Sequence, residues 1–285
     1  MRHLLCLLFV LVAATPILAQ THITENIATD TTWDIAGSPY IVQGTVHVTS
    51  PNTLTIEPGV TVKMDSVAQI RPLNGGVLHA VGTEGNEILF TSVKDTPAPD
   101  DWYGIVLDGS SACVVTHCVI EYARYGIHAK HCDPTITDCT IRFALYSGIL
   151  NEYASTTITR CLVTENGSAG VRSSSGAITV TGCTISNNHR GVYLIDSDTD
   201  PVVNNCNIID NVSSNIFVYA YEGRPIITLN FENNWWGVDT APEIEATIDM
   251  HPASVGFVEV DFDPWLHEIP VEATSWGRVK ALFAE

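Results

Sequence analysis

Basic residues are scarce in this chain. Lys and Arg together number 13 against 32 Asp and Glu, only four of the 13 are Lys, and the formal net charge is −19. A protein that grips a phosphate backbone needs a basic footprint, so nucleic acid is excluded as a partner. Charge of either sign is thin: 16% of residues, against roughly 25% in an ordinary soluble domain. Beyond the first 19 residues no apolar run approaches the ~20 residues of a membrane-spanning helix. GxGxxG, P-loop, serine-elbow, HExxH and CxxC patterns are all missing, which removes the chemistries those motifs carry. Helical spacing sustained over 10 to 12 residues is missing from the middle of the chain as well. What remains is 45% hydrophobic, too apolar for bulk disorder, with a polar share made largely of Thr, Ser, Asn and Gly.

The opening MRHLLCLLFVLVAATPILAQ has Arg2, an apolar run from Leu4 to Ala14, and Ala19 before Gln20. That is the pattern of a secretory signal over residues 1–19, too short to span a bilayer. The mature protein is expected to be exported, as a secreted, periplasmic or cell-surface monomer that does not cross the membrane. Cys6 leaves with the signal, and seven cysteines remain. An odd number leaves at least one thiol free or paired with another chain.

Five of those cysteines keep time. Cys118, Cys139, Cys161, Cys183 and Cys206 are 21, 22, 22 and 23 residues apart. Alignment on them brings three apolar columns into register. Ile120, Ile141, Val163, Ile185 and Ile208 follow by two residues, and Val115, Ile136, Ile158, Val180 and Val203 precede by three. Ile127, Ile149, Val171, Val192 and Ile216 follow by nine or ten, four of them directly after Gly126, Gly148, Gly170 and Gly191. A period of this length signals stacked repeats. The short Cys-x-Ile alternations are strand grammar, and the offset of three between Val115 and Cys118 demands a corner between strands.

The expected fold is all-β: a parallel coil of about eight or nine turns of roughly 22 residues, capped at both ends, about 40 Å long at ~4.8 Å per turn. We divide it into an N-terminal cap region at 20–45, the coil at 46–232, a C-terminal cap at 233–268 and a tail at 269–285. Thr240 and Glu243, with Pro242 between, have the spacing of a short helix start in the cap. Trp235, Trp236 and Trp265 are expected to plug the end. Asn166, Asn188 and Asn211 also align and are expected to stack as an amide ladder. This makes the sequons at Asn166 and Asn211 structural. The cysteine column is expected to be a line of small, reduced, buried side chains, since parallel thiols do not converge on a metal. KDTPAPDD, from Lys94 to Asp101, is a polar insertion that breaks the period.

These turns resemble the right-handed parallel β-helix repeats of the pectin-lyase-like superfamily. TLTIEPGVTVKM, GTEGNEILFTS and the closing NNWWG…FDPWL are similar to segments of secreted bacterial members, and the likeness spans about residues 38–268. TSWGRVKALF resembles the lead into a C-terminal surface or sorting module, which is expected to be absent from a chain stopping at Glu285. The resemblance implies the fold; the superfamily includes lyases, hydrolases, adhesins and members without known activity.

Candidate chemistry sits in four places. Cys113 and Cys132 stand outside the cysteine column near one corner of adjacent turns, as a disulfide or as two thiols. His117, His128, His131 and His189 lie at corners without the spacing of a defined metal site, and read as surface histidines. Asp196, Asp198 and Asp200 form an oxygen-rich turn that suits weak calcium; otherwise no cofactor is expected. Tyr103, Glu121, Tyr122, Arg124, Tyr125, Arg142, Tyr146, Glu152 and Tyr153 supply flat aromatics beside charges, suited to sugar rings in a lateral groove. Two functions follow. One is a non-catalytic extracellular or cell-envelope scaffold or binding module for carbohydrate or another cell-surface ligand; the alternative is a polysaccharide lyase or glycoside hydrolase. The paired-Asp and Asp-plus-base patterns of the superfamily's enzymes are missing, which favours the module.

Overall fold

The computed structural model describes residues 20–195, 201–219 and 226–267. Each turn of chain lays down three short strands, one in each of three parallel sheets. A middle turn shows the order: Ile127–Lys130 in sheet II, Thr135–Thr137 in sheet III, Thr140–Arg142 in sheet I, then Ser147–Glu152 back in sheet II. Among the described residues the sheets hold nine, nine and ten strands, each strand bonded to its counterparts one turn before and after. The result is a parallel β-solenoid of about eight turns.

The period in the sequence is the register of the sheets. Ile127, Ile149, Val171, Val192 and Ile216 are direct partners down sheet II. Val115 through Val203 line up in sheet III, and Ile120 through Ile208 in sheet I. All fifteen side chains are fully buried and form one continuous core. Strand alternation aims them inward, so each turn adds three aliphatic rungs.

The corner expected between Val115 and Cys118 is one residue, His117, at φ +48°. Asp138, Arg160, Gly182 and Asn205 repeat it. A second single-residue corner, between sheets I and II, recurs at Tyr122, Phe143, Glu165, Asn187 and Asp210. Most of these are not glycine, although the left-handed region disfavours side chains. Stacking supplies the compensation: the corner amides of His117, Asp138 and Arg160 donate to Thr137, Thr159 and Thr181 carbonyls of the next turn, at 3.0–3.1 Å. The recurring glycines answer to space instead. A Cβ on Gly170 would meet Ile185 Cγ2 at 2.6 Å and Asn188 Nδ2 at 2.8 Å.

The asparagine column is a ladder. Asn188 Oδ1 accepts from both the backbone N–H and Nδ2 of Asn166, at 3.0 and 2.9 Å. Its own N–H and Nδ2 donate to Asn211 Oδ1, and Nδ2 also reaches the Val163 carbonyl. The five cysteines are buried free thiols whose Sγ atoms donate to carbonyls of their own and the preceding turn. Burial pushes the thiols of Cys139, Cys161 and Cys183 well above the ordinary cysteine value.

At the ends the solenoid continues into the regions read as caps. Thr21–Ile23 pairs with Tyr40–Val42, and Thr31–Trp33 with Thr53–Ile56. At the other end Ile248–Met250 and Val258–Asp261 add strands to sheets II and III. The helix is Ala241–Glu245 with Thr240 as N-cap, but the Thr240 hydroxyl donates to the Glu243 carboxylate at 2.6 Å rather than capping the backbone. Trp236 is buried against Phe231 and Phe262, and Trp265 packs on Phe262.

Two outcomes follow from this packing. Asn188→Ala strips acceptors from Asn166 and a donor from Val163, and is expected to cost about 2–3 kcal/mol by urea denaturation; an unchanged midpoint contradicts the ladder. Cys113 and Cys132, the pair whose linkage the sequence left open, are also buried free thiols. A thiol reagent at pH 8 should therefore find no fast-reacting cysteine in the folded protein. All seven from Cys113 to Cys206 should react in denaturant without reductant, and a deficit of two would mean a disulfide.

Candidate functional site

Inward ladders imply outward ones. On sheet II the residue after each inward rung faces out, giving one column: Val106, His128, Leu150, Arg172, Tyr193 and Phe217. Alongside it, at the corner entering sheet II, run Tyr103, Tyr125 and Tyr146. Backbone bonds between the turns hold them in step: the Tyr125 N–H donates to the Tyr103 carbonyl at 3.1 Å, and Tyr146 to Arg124 at 3.0 Å. Their rings follow one another at 6.1 and 5.3 Å, with interplanar angles of 60° and 31°. The stripe is continuous but stepped, not the flat platform expected, because each ring leans to pack on its neighbour. Tyr146 is the most open, at 45% exposure. Burial raises the Tyr125 phenol above its usual value, against the pull of Arg172.

The insertion folds back onto this stripe. Asp100 takes two hydrogen bonds from the Arg124 guanidinium, at 2.6 and 3.1 Å, and Arg124 in turn lies 5.7 Å from the Tyr103 ring centre. Asp101 is buried beside Lys94. Burial alone would raise its carboxyl, but hydrogen bonds from Lys94 and the Ala98 N–H outweigh it and hold the group below the usual range.

The nine groove candidates do not form one groove. Glu121 and Arg142 face outward from sheet I as an ion pair at 2.9 Å, with the Thr91 hydroxyl on the other Glu121 oxygen. Tyr122, at the next corner, stacks on Phe143 at 5.2 Å. Tyr153 sits at the corner beyond sheet II and stacks on His131 at 5.6 Å. Only Tyr103, Arg124, Tyr125, Tyr146 and Glu152 share the sheet II face, because the corners on either side turn their neighbours away. Two clefts, about 630 Å³ beside Glu165 and His189 and about 530 Å³ beside Met250 and Phe262, are lined by none of the stripe tyrosines, whereas a small one of about 40 Å³ is lined by Tyr103, Arg124 and Asp100.

Glu152 accepts from or shares a proton with His128 Nε2 at 3.0 Å, with Lys130 Nζ 3.6 Å away. Burial pushes the His128 imidazole below its ordinary value, against the Glu152 hydrogen bond and charge that raise it. Its Nδ1 is buried without a partner. Of the other corner histidines, His117 pairs with Asp138 and His131 with Asp108, each at 3.8 Å. No three His, Cys, Asp or Glu side chains converge as a metal site among the described residues. Asp196, Asp198 and Asp200 lie outside the described residues.

Sequence reasoning missed the lower half of this face. Arg172 stacks 5.1 Å from Tyr193, and Arg190 lies 5.3 Å from Tyr193 and 4.3 Å from Phe217. The signal was present, since Arg172, Tyr193 and Phe217 each follow an inward rung by one residue.

Two family models match the chain, "Right handed beta helix region" over residues 103–236 and "Pectate-lyase like beta helix domain" over residues 25–123. The fold is thus a right-handed parallel β-helix of the pectate-lyase-like kind. No curated protein and no solved structure matches it. In this β-helix, then, function has to be argued from the side chains on its outer faces, since the fold hosts several chemistries.

The His128 geometry gives a signed expectation. Its folded pKa is depressed below 6.5, so the folded state binds fewer protons than the unfolded chain as pH falls below 6.5. The neutral imidazole's contribution is therefore present above pH 6.5 and is lost as pH falls through the folded value. Imidazole titration by NMR should place His128 below 6.5, and Glu152→Gln should lower it further. A midpoint above 6.5, or a rise on substitution, would refute the desolvated pair.

Proposed function

We propose that this β-helix is a non-catalytic, exported carbohydrate-binding module, and that the outer face of sheet II is its binding surface. The observation that carries the reading is the unbroken Tyr103–Tyr125–Tyr146 column, one ring per turn, half-buried at Tyr103 and Tyr125 and exposed at Tyr146. A pyranose presents apolar C–H faces and polar hydroxyl edges. Stepped phenol rings offer the first a partner, while the phenol hydroxyls and Arg124 offer the second hydrogen bonds. A polymer lying along the rod would meet successive rings. The signal-like residues 1–19 support export.

The carboxylates argue against catalysis at the stripe. Asp100 is held by Arg124, Glu121 by Arg142, and Glu152 by His128 and Lys130. Glu121 and Glu152 lie on different sheets, so they do not flank one bond as glycosidase carboxylates must. One observation favours the alternative, a polysaccharide lyase or hydrolase acting on this face: His128, held toward its neutral form beside Glu152, has the makings of a general base.

The test is affinity electrophoresis of the mature protein against a panel of neutral and acidic polysaccharides, followed by product analysis. Binding without turnover, weakened at least tenfold (about 1.4 kcal/mol) by Tyr125→Ala or Tyr146→Ala, is the expected result. Release of oligosaccharide or of an unsaturated product, abolished by His128→Ala, would replace the module by the enzyme.

A further inference from the structure

Among the described residues, most cations of this β-helix are spoken for. Arg71, Lys94, Arg124, Lys130, Arg142 and Arg160 each lie against a carboxylate. In a chain with 32 acidic residues and 13 basic ones that is the expected fate of a positive charge. Lys63, Arg172 and Arg190 depart from it, and the two arginines share one aromatic ring. Neither has a salt bridge or a hydrogen-bond acceptor among the described residues, and both Nε atoms are buried without a partner.

What holds them is aromatic. Tyr193 carries both Arg172 and Arg190, and Phe217 carries Arg190 one turn further on. Guanidinium planes stack well on such rings and keep their outer N–H groups free for a planar acceptor. Sharing one ring at 5.1 and 5.3 Å puts the two charges within about 10 Å, one Debye length at 0.1 M salt. Two like charges held together without a counter-charge repel each other, and an oxyanion between them would relieve that. Of the outer-face carboxylates of sheet II, Asp108 and Glu152 are already paired, with Arg71 and His128, and Asp249, the register partner of Phe217 two strands from Arg190, forms no ion pair with either arginine.

The position matters as much as the charge. Arg172 directly follows Leu150 in the outward column, and its charge reaches the Tyr125 phenol. The arginine pair therefore continues the tyrosine stripe along the rod rather than opening a separate site. Building on the carbohydrate-binding reading, we infer that Arg172 and Arg190, stacked on Tyr193 and Phe217, form an oxyanion subsite that selects a glycan bearing carboxylate or sulfate groups. The chain's overall negative charge makes this selection local: beyond a Debye length the protein repels polyanions, and only a group seated between the two guanidinium groups is rewarded.

The experiment pairs two readouts on the mature protein. The first is affinity electrophoresis with a neutral glucan, a uronate-containing polysaccharide and a sulfated one, for the wild type, Arg172→Gln, Arg190→Gln and Arg172→Lys. The second is the arginine Nε–Hε NMR signals during titration with sodium sulfate and with sodium acetate at constant ionic strength. Expected are preferential retention by one or both acidic polymers, a loss of at least tenfold in each Gln variant, a smaller loss in the Lys variant, and shifts of the Arg172 and Arg190 signals. Which polymer is retained, and which anion shifts the signals, separates sulfate from carboxylate. Acidic polymers held as tightly by the Gln variants as by the wild type would overturn the subsite. So would retention of the neutral glucan alone with unmoved arginine signals, a result that leaves the carbohydrate-binding reading standing. Arginine shifts with sulfate but no retention of any polymer would uphold the subsite and remove that reading. Thermal melts of the variants, expected to match the wild type, check that the face is intact.

Discussion

Everything in this molecule depends on one turn of chain hydrogen-bonding to the next in register. No strand in the solenoid is longer than six residues, and none would persist alone. Each is held because its N–H and C=O groups meet those of the same strand one turn away. The corners obey the same constraint. A residue such as Phe143 or Glu165 keeps a positive φ because the stacked turns around it leave no other course. Asn166, Asn188 and Asn211 extend the backbone pairing into the side chains, so that buried amides satisfy one another and the corner N–H groups together.

Stacking in register also explains how polar and charged groups are accommodated. Identical positions lie about 4.8 Å apart down the rod, so whatever occupies one turn faces its equivalent on the next. Cysteines in such a column donate to backbone carbonyls, and burial raises the thiols of Cys139, Cys161 and Cys183. Opposite charges in equivalent positions become ion pairs one turn apart, as with Glu121 and Arg142 or Asp138 and Arg160. Aromatics in equivalent positions become stripes. The tyrosine column and the arginine–aromatic cluster on sheet II are thus products of the same geometry that builds the core, expressed on the outside.

This is also why the interior was legible in the sequence and the exterior only in part. Inward positions must be apolar in every turn, so Val115 to Val203 and Ile120 to Ile208 announce themselves by repetition. The three-residue offset before each cysteine revealed the corner, but not that His117 or Asp138 would occupy it in place of glycine. Outward positions carry no such repetition: Val106, His128, Leu150, Arg172, Tyr193 and Phe217 share a column and little else. Proximity in sequence then misleads. Glu121 and Tyr122 stand close to Arg124 and Tyr125 in the chain, yet a corner places the first pair on another face. Arg172 and Tyr193 stand far apart in sequence and touch.

The central claim is that register gathers these separate residues into one binding strip. It is tested most directly by titrating labelled mature protein with acidic oligosaccharides and following backbone and side-chain NMR signals. The account predicts that perturbations run along sheet II through residues 103, 125, 146, 172 and 193, one per turn. Outward threonines of sheet III such as Thr135, Thr157 and Thr179 should stay still. Perturbations centred on sheet III, or on the cleft beside Glu165 and His189, would contradict it.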